Sequence, residues 1–370
     1  MKIRRTELTI LSICHLLVDG VCAAALLRDL SAPQLASAIL LYNTCAFTTQ
    51  CLTGMIPDRF GRARLFVLVS AVILAFGALL PMTIIPQAVV LGLGNSLFHV
   101  CGGYLTLRGS RAMGPLGVFV APGAIGLFLG TSFSVLRLPF VLMLLALSVL
   151  EAVPELRRSG EGSVAPQSGE GSLTKDTGPA HSAESAAGDD ALASGIAPSA
   201  SPIPKAALYA ALLLVAVAAR AVGGSAVVFP WKTGLITGAE LTAAVFLGKT
   251  CGGFAADRLG LKKVAVFSVL AASVLLIFCS ENMVLSLIGQ FALNLSMPIT
   301  LWLIWQLYPD NPGFAFGLAA AALWPGTLAG KLIHLTGVWA GLLTLICFAA
   351  GLAAILITEK VLHGGNRSKN

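Results

Sequence analysis

Charge is what this sequence has least of. Asp, Glu, Lys and Arg make up 11% of its 370 residues, where a soluble domain carries roughly 25%. Apolar residues reach 56% and mean hydropathy is +0.87, so most of the chain has to sit in lipid. CxxC spacing is also missing. The eight cysteines fall inside apolar stretches, which makes them small packing residues rather than disulfide partners or metal ligands. Gly248-Lys249-Thr250 resembles the end of a phosphate-binding loop, but Ala243 stands where that loop needs glycine, and the segment lies inside an apolar stretch. No cofactor motif is present, and neither a cofactor nor a metal is expected.

What the chain does have is long apolar runs. A helix needs about 20 residues to cross a hydrocarbon core roughly 30 Å thick. Stretches of that kind lie near Leu8–Leu27, Pro33–Leu52, Leu65–Met82, Gln87–Leu105, Met113–Phe133 and Val135–Val153. Six more lie near Ala206–Val228, Glu240–Ala256, Val264–Cys279, Met283–Leu307, Gly313–Leu328 and Leu332–Ile357. An all-α integral membrane protein of twelve transmembrane helices is expected. Met1–Ala25 has the basic start and apolar run of a signal peptide, but the run is too long, carries Asp19 and lacks a small-residue cleavage site, so it is read as a retained first span.

The net charge of +7 would suit a polyanion if the bases shared a soluble face. They do not. With the N-terminus inside, Lys2, Arg4, Arg5, Arg108, Arg111 and most other bases fall on one side, leaving Arg28, Arg137, Lys232 and Lys331 on the other. That bias is the positive-inside pattern. It places both termini in the cytoplasm, with the protein multi-pass in the cell membrane, and excludes a nucleic-acid partner. Between Pro154 and Pro204 the composition turns to Gly, Ser, Ala, Pro and acids, without an aromatic residue. Such a segment cannot bury enough surface to offset chain entropy. The expected organisation is a six-helix bundle over 1–153, a disordered cytoplasmic linker over 154–204, a second bundle over 205–359 and a cytoplasmic tail over 360–370.

Gly54–Arg64 (GMIPDRFGRAR) and Gly253–Lys263 (GFAADRLGLKK) share Gly, Asp, Arg and Gly in one register, and each joins two apolar stretches. An internal repeat of this kind makes the two bundles pseudo-symmetric copies and points to a secondary transporter. Ionisable residues inside the spans are the candidate site. Asp19 lies halfway along the first span with His15 one helical turn before it. A charge at the bilayer centre costs on the order of 3 kcal/mol, so Asp19 should face the bundle interior or a wet cavity. Two readings stand: a proton-coupling or substrate group, or a structural carboxylate paired with a base or helix end. Arg220 and Lys249 are buried cations that would bind an anionic substrate or neutralise Asp19, although Lys249 has a stem long enough to snorkel. His99 is either a cavity hydrogen-bond partner or packing, and His334 belongs at the outer interface. The fifth span concentrates Gly117, Pro122, Gly123, Gly126 and Gly130. Gly126-x-x-x-Gly130 permits close helix approach, and Pro122 removes a backbone donor and invites a kink. The five tryptophans are read mainly as packing or interface anchors.

The two repeats resemble the loop motif of the major facilitator superfamily, Gly-x-x-x-Asp-Arg/Lys-x-Gly-x-Arg/Lys-Arg/Lys, with Ala63 at one basic position of the first copy. The resemblance implies that fold, with two six-helix bundles. It also implies that Asp58 and Asp257 cap helices and lock the cytoplasmic gate, with Arg59, Arg62, Arg64, Arg258, Lys262 and Lys263 as their partners; Gly54, Gly61, Gly253 and Gly260 complete the motif. Gly117–Gly126 is similar to the superfamily's antiporter motif, with Ala121 and Ile125 at two glycine positions. His15-Leu-Leu-Val-Asp19 and Gly92-Leu-Gly-Asn-Ser-Leu-Phe-His99 resemble fosmidomycin-resistance exporters, except that Val100 and Cys101 replace that branch's Pro-Glu. The function expected is proton-coupled export of a small, drug-like, anionic compound by a monomer. An uptake symporter or uniporter is the alternative, and a non-transporting sensor or enzyme the remote one, since the chain offers neither a soluble sensor domain nor convergent carboxylates.

Overall fold

The computed structural model describes residues 3–28, 31, 33–161, 203–333, 335 and 337–364. The expected disorder of most of the linker, the end of the tail and the place of His334 lie outside the described residues. Lipid cannot satisfy backbone N–H and C=O groups, so apolar runs must close their hydrogen bonds internally as helices. Twelve result: α1 Arg5–Leu26, α2 Leu35–Phe60, α3 Ala63–Leu79, α4 Ile84–Arg108, α5 Gly114–Ser132, α6 Arg137–Glu161, α7 Ile203–Ala226, α8 Leu235–Leu259, α9 Leu261–Phe278, α10 Met283–Leu307, α11 Pro312–Leu332 and α12 Gly337–Gly364. Ten are long and apolar enough to cross a membrane by themselves. The other two fall short for different reasons: α3 has 17 residues, and α8 carries Glu240, Lys249, Asp257 and Arg258 along its 25 residues.

Packing repeats when six is added to each helix number. α1 packs on α5 and α6, and α7 packs on α11 and α12; α3 lies against α4 and α6, and α9 against α10 and α12. The helices that join the halves obey the same rule, because α2 meets α11 while α8 meets α5. This is the pseudo-twofold relation that the repeated motif implies.

Helix ends differ from the sequence expectation in instructive ways. α2 and α8 run on through the repeated motif, so Asp58 and Asp257 sit in last helical turns rather than in loops. Each helix then stops at glycine, Gly61 at φ 64° and Gly260 at φ 91°, a backbone region that side chains disfavour. α6 continues through Pro154 to Glu161, past the expected end at Val153. α5 is interrupted at Ala121, between a segment ending at Val120 and one starting at Pro122, as a missing backbone donor requires. α2 contains a π turn over Thr44–Thr48, a distortion that recurs at functional sites.

Candidate functional site

Two helices supply the chemistry, and a third makes room for it. His15 and Asp19 share one face of α1, while Asn95 and His99 share one face of α4 in the same one-turn spacing. His15 Nδ1 lies 2.7 Å from the Phe119 carbonyl oxygen, and His99 Nδ1 lies 2.9 Å from the Asn95 carbonyl oxygen. A carbonyl only accepts, so each Nδ1 carries a hydrogen and donates it. In the neutral rings both Nε2 atoms are then lone-pair nitrogens, and they face one another at 2.8 Å. Two lone pairs at that distance repel unless a proton or another cation lies between them. Asp19 closes the group, with Oδ2 3.4 Å from His15 Nε2 and Oδ1 3.7 Å from His99 Nε2. Asn95 Nδ2 donates to Asp19 Oδ1 at 3.0 Å. Phe98 and Phe119 flank the imidazoles, and both rings are buried, whereas the Asp19 side chain keeps 22% of its surface exposed. Asp19 is therefore the least buried member of the triad.

The α5 glycines explain how α1 approaches so closely. A Cβ on Gly126 would lie 1.9 Å from the Leu16 carbonyl oxygen, and one on Gly130 2.2 Å from that of Gly20. Gly123 faces the triad itself: its Cβ would fall 2.3 Å from Asp19 Oδ2 and 2.5 Å from His15 Nε2. Gly117 instead meets the other half, where a Cβ would lie 2.5 Å from the Lys249 carbonyl oxygen. The helix-5 glycines thus serve two contacts, one with α1 and one with α8.

The two buried cations divide. Lys249 stands within electrostatic reach of Asp19, His99 and Arg220. Arg220 forms no ion pair with Asp19; its Nη1 is buried without a hydrogen-bond partner, in a small cavity shared with Ser296, Thr300 and Phe348. Trp302 and Trp305 stack edge to face at 4.7 Å, Trp231 donates to the Ser280 carbonyl at 3.1 Å, and Trp324 donates across the halves to Thr44 Oγ1 at 3.2 Å.

The repeated motif makes a reciprocal contact. Asp58 accepts from the Gly313 and Phe314 amides, in the first turn of α11, at 2.8 and 2.7 Å. Asp257 accepts from the Met113 and Gly114 amides, at the start of α5, at 2.8 and 2.7 Å. Each carboxylate satisfies orphan donors of a helix in the opposite half and complements that helix's positive end. Gly54 and Gly253 let the backbones touch, because a Cβ on either would lie 2.3 Å from a carbonyl oxygen of the other half. The bases do something else. Arg64 pairs with Glu7, with Glu151 at 3.0 Å and with Glu155 at 4.0 Å, and Lys262 pairs with Glu359 at 2.8 Å. These pairs tie α3 to α1 and α6, and α9 to α12, each within one half. For Arg64 and Lys262 they replace the expected pairing with the motif's aspartates. Asn95, Glu7 and Glu151 were not singled out in the sequence; only the Asn95–His99 spacing, which mirrors His15–Asp19, marks one of them.

No known protein-family profile and no curated protein matches the chain. Solved structures do. The E. coli fucose:proton symporter FucP superposes with a TM-score of 0.62 at 11% identity, covering 96% of this chain and 99% of that one. A second structure of FucP, described as a major facilitator superfamily transporter in the outward conformation, gives 0.63 at 11% identity over 95% and 98%. The protein therefore has the major facilitator fold, with twelve helices in two pseudo-symmetric bundles. It is a multi-pass membrane architecture in which the halves meet through α2–α11 and α5–α8 packing and matched carboxylate caps.

Proposed function

We propose that the protein is a secondary transporter working by alternating access, and that it exports a small organic compound in exchange for protons across the cell membrane. The observation that carries this reading is the His15–Asp19–His99 cluster. An ionisable group held inside a span, with two nitrogens placed to share a proton and one partly exposed carboxylate, suits uptake and release of a proton. The reciprocal Asp58 and Asp257 caps act as the cytoplasmic gate: while both hold, that end stays closed. Gly123 transmits between the two, since it touches the triad on a helix whose first turn is capped from the other half. Arg220 and Lys249 favour an anionic, drug-like substrate, Arg220 through a buried donor that a ligand oxygen would satisfy. The likeness of the His15–Asp19 and Gly92–His99 segments to fosmidomycin-resistance exporters supports export. The protein works as a monomer with both termini in the cytoplasm, its halves joined by the segment between α6 and α7.

Uptake by proton symport is the second reading, favoured by the fold neighbour described as a fucose:proton symporter. Counterflow and gradient-driven flux in proteoliposomes with an imposed pH difference separate the outcomes. Export by exchange requires flux against the inward proton gradient, and symport flux along it. Asp19→Asn should keep counterflow and lose the response to the pH difference. A variant that still responds as the parent does would remove Asp19 from the coupling machinery.

A further inference from the structure

The triad has the parts of a metal site as well as those of a proton site. We infer that His15 Nε2, His99 Nε2 and the Asp19 carboxylate bind a divalent transition-metal cation of the zinc and cobalt type. His15, Asp19 and His99 each offer a ligand atom, and these atoms all lie within 4.8 Å of one another. Zinc binds imidazole nitrogen and carboxylate oxygen at roughly 2.0–2.2 Å in tetrahedral geometry, so two ligands of one ion stand about 3.3–3.6 Å apart. The observed separations of 2.8, 3.4 and 3.7 Å bracket that range, and side-chain shifts of a few tenths of an ångström would admit the ion. Hard calcium and magnesium are excluded by the two nitrogen ligands.

Three further observations point to a ligand. Both imidazoles donate Nδ1–H to a carbonyl, which turns the Nε2 lone pairs to a common point, and Asn95 Nδ2 holds the carboxylate through Oδ1. Such outer contacts are what orient metal ligands. The Nε2–Nε2 contact at 2.8 Å is a place that either a proton or a metal cation would bridge. Gly123 lets α5 pack directly against Oδ2 and His15 Nε2, where a Cβ would clash, and the Asp19 side chain, 22% exposed, leaves one side of the cluster uncovered. The titratable groups facing the triad are Cys22 and Tyr42, within reach of Asp19, and Lys249. Lys249 opposes a dication, so its neutralisation should strengthen binding.

Metal and proton compete for the same two lone pairs, so affinity should fall steeply on acidification as the nitrogens take up protons. The inference goes beyond the transport reading and does not require it: loss of the pH response in flux would sink proton coupling and leave metal binding intact. The test is titration of the purified full chain in nanodiscs with Zn²⁺ by calorimetry and with Co²⁺ by its visible absorption. The expected result is saturable binding of a single ion per chain at neutral pH, without a thiolate-to-cobalt band. Affinity should drop roughly 10–100-fold in Asn95→Ala, as loss of an outer contact does, disappear in His15→Ala/His99→Ala, and rise in Lys249→Met. Undiminished binding in the double histidine variant, or no binding by folded parent protein, overturns the assignment. If the double variant does not fold, an unchanged affinity in Asn95→Ala together with a thiolate band overturns it in the same way.

Discussion

Replacing Asp58 with asparagine probes the gate at a single atom. The carboxylate accepts two amide hydrogens, at 2.8 and 2.7 Å, and an asparagine side chain has one acceptor oxygen, so one bond must fail. Hydrogen bonds to a charged group contribute about 1.5–3 kcal/mol, and the lost charge at a helix N-terminus adds roughly 0.3–1 kcal/mol. A loss of about 2–3 kcal/mol moves the opening equilibrium of the α11 start about 30- to 150-fold. Hydrogen–deuterium exchange read by mass spectrometry on peptides covering 313–318 should show protection falling by that factor. Asp257→Asn should do the same at 113–117, since its bonds have the same lengths. Because the caps tie the same two halves, each variant should also speed exchange, by a smaller factor, at the other cap. Unchanged protection at 313–318 in Asp58→Asn would refute the capping role, and a wholly local effect in both variants would refute a shared gate.

Two structural variants separate packing from chemistry. Gly126→Ala places a Cβ 1.9 Å from the Leu16 carbonyl oxygen, and overpacking of that kind costs about 1–3 kcal/mol; the thermal midpoint of the purified protein should fall clearly, and an unchanged midpoint would show that α1 and α5 are not in rigid contact. Arg64→Met removes the cation shared by Glu7 and Glu151 and should destabilise the N-terminal half by roughly 3–5 kcal/mol, seen as lost yield of monodisperse protein. Recovery on adding Glu151→Gln would confirm that the cost is electrostatic.

Much of this architecture is legible in the sequence because the bilayer restricts the options to apolar helices. Length and hydropathy locate the twelve helices, and α8 appears through the repeated motif at its end even though its polar residues dilute it. Helix 5 was readable too: proline at 122 breaks it, and glycines one turn apart carry the close contact with α1. The partners were not readable. Asp58 binds amides of Gly313 and Phe314, and no side-chain pattern advertises a backbone donor. His15, Asp19 and His99 each stood out as polar residues in lipid, but α1 and α4 meet through tertiary packing that spacing along the chain does not encode. The resemblance assigns Arg64 to the aspartates; of its partners, Glu7 lies in the first turn of α1 and Glu151 just before Val153, where the sixth span is expected to end, so both acids look like ordinary interface residues. Gly123 shows the limit most clearly, since close packing and contact with the triad require the same residue.

Alternating access about the caps is tested most directly by measuring both ends of the molecule at once. Spin labels at Arg62→Cys and Asp310→Cys report the motif end, and labels at Val135→Cys and Thr233→Cys the opposite end, each pair on a background without the native cysteines. Double electron–electron resonance should show the two distances changing in opposite senses between acidic and basic pH, with Asp19→Asn held in one state. Distances that stay fixed, or that lengthen and shorten together, would contradict the account.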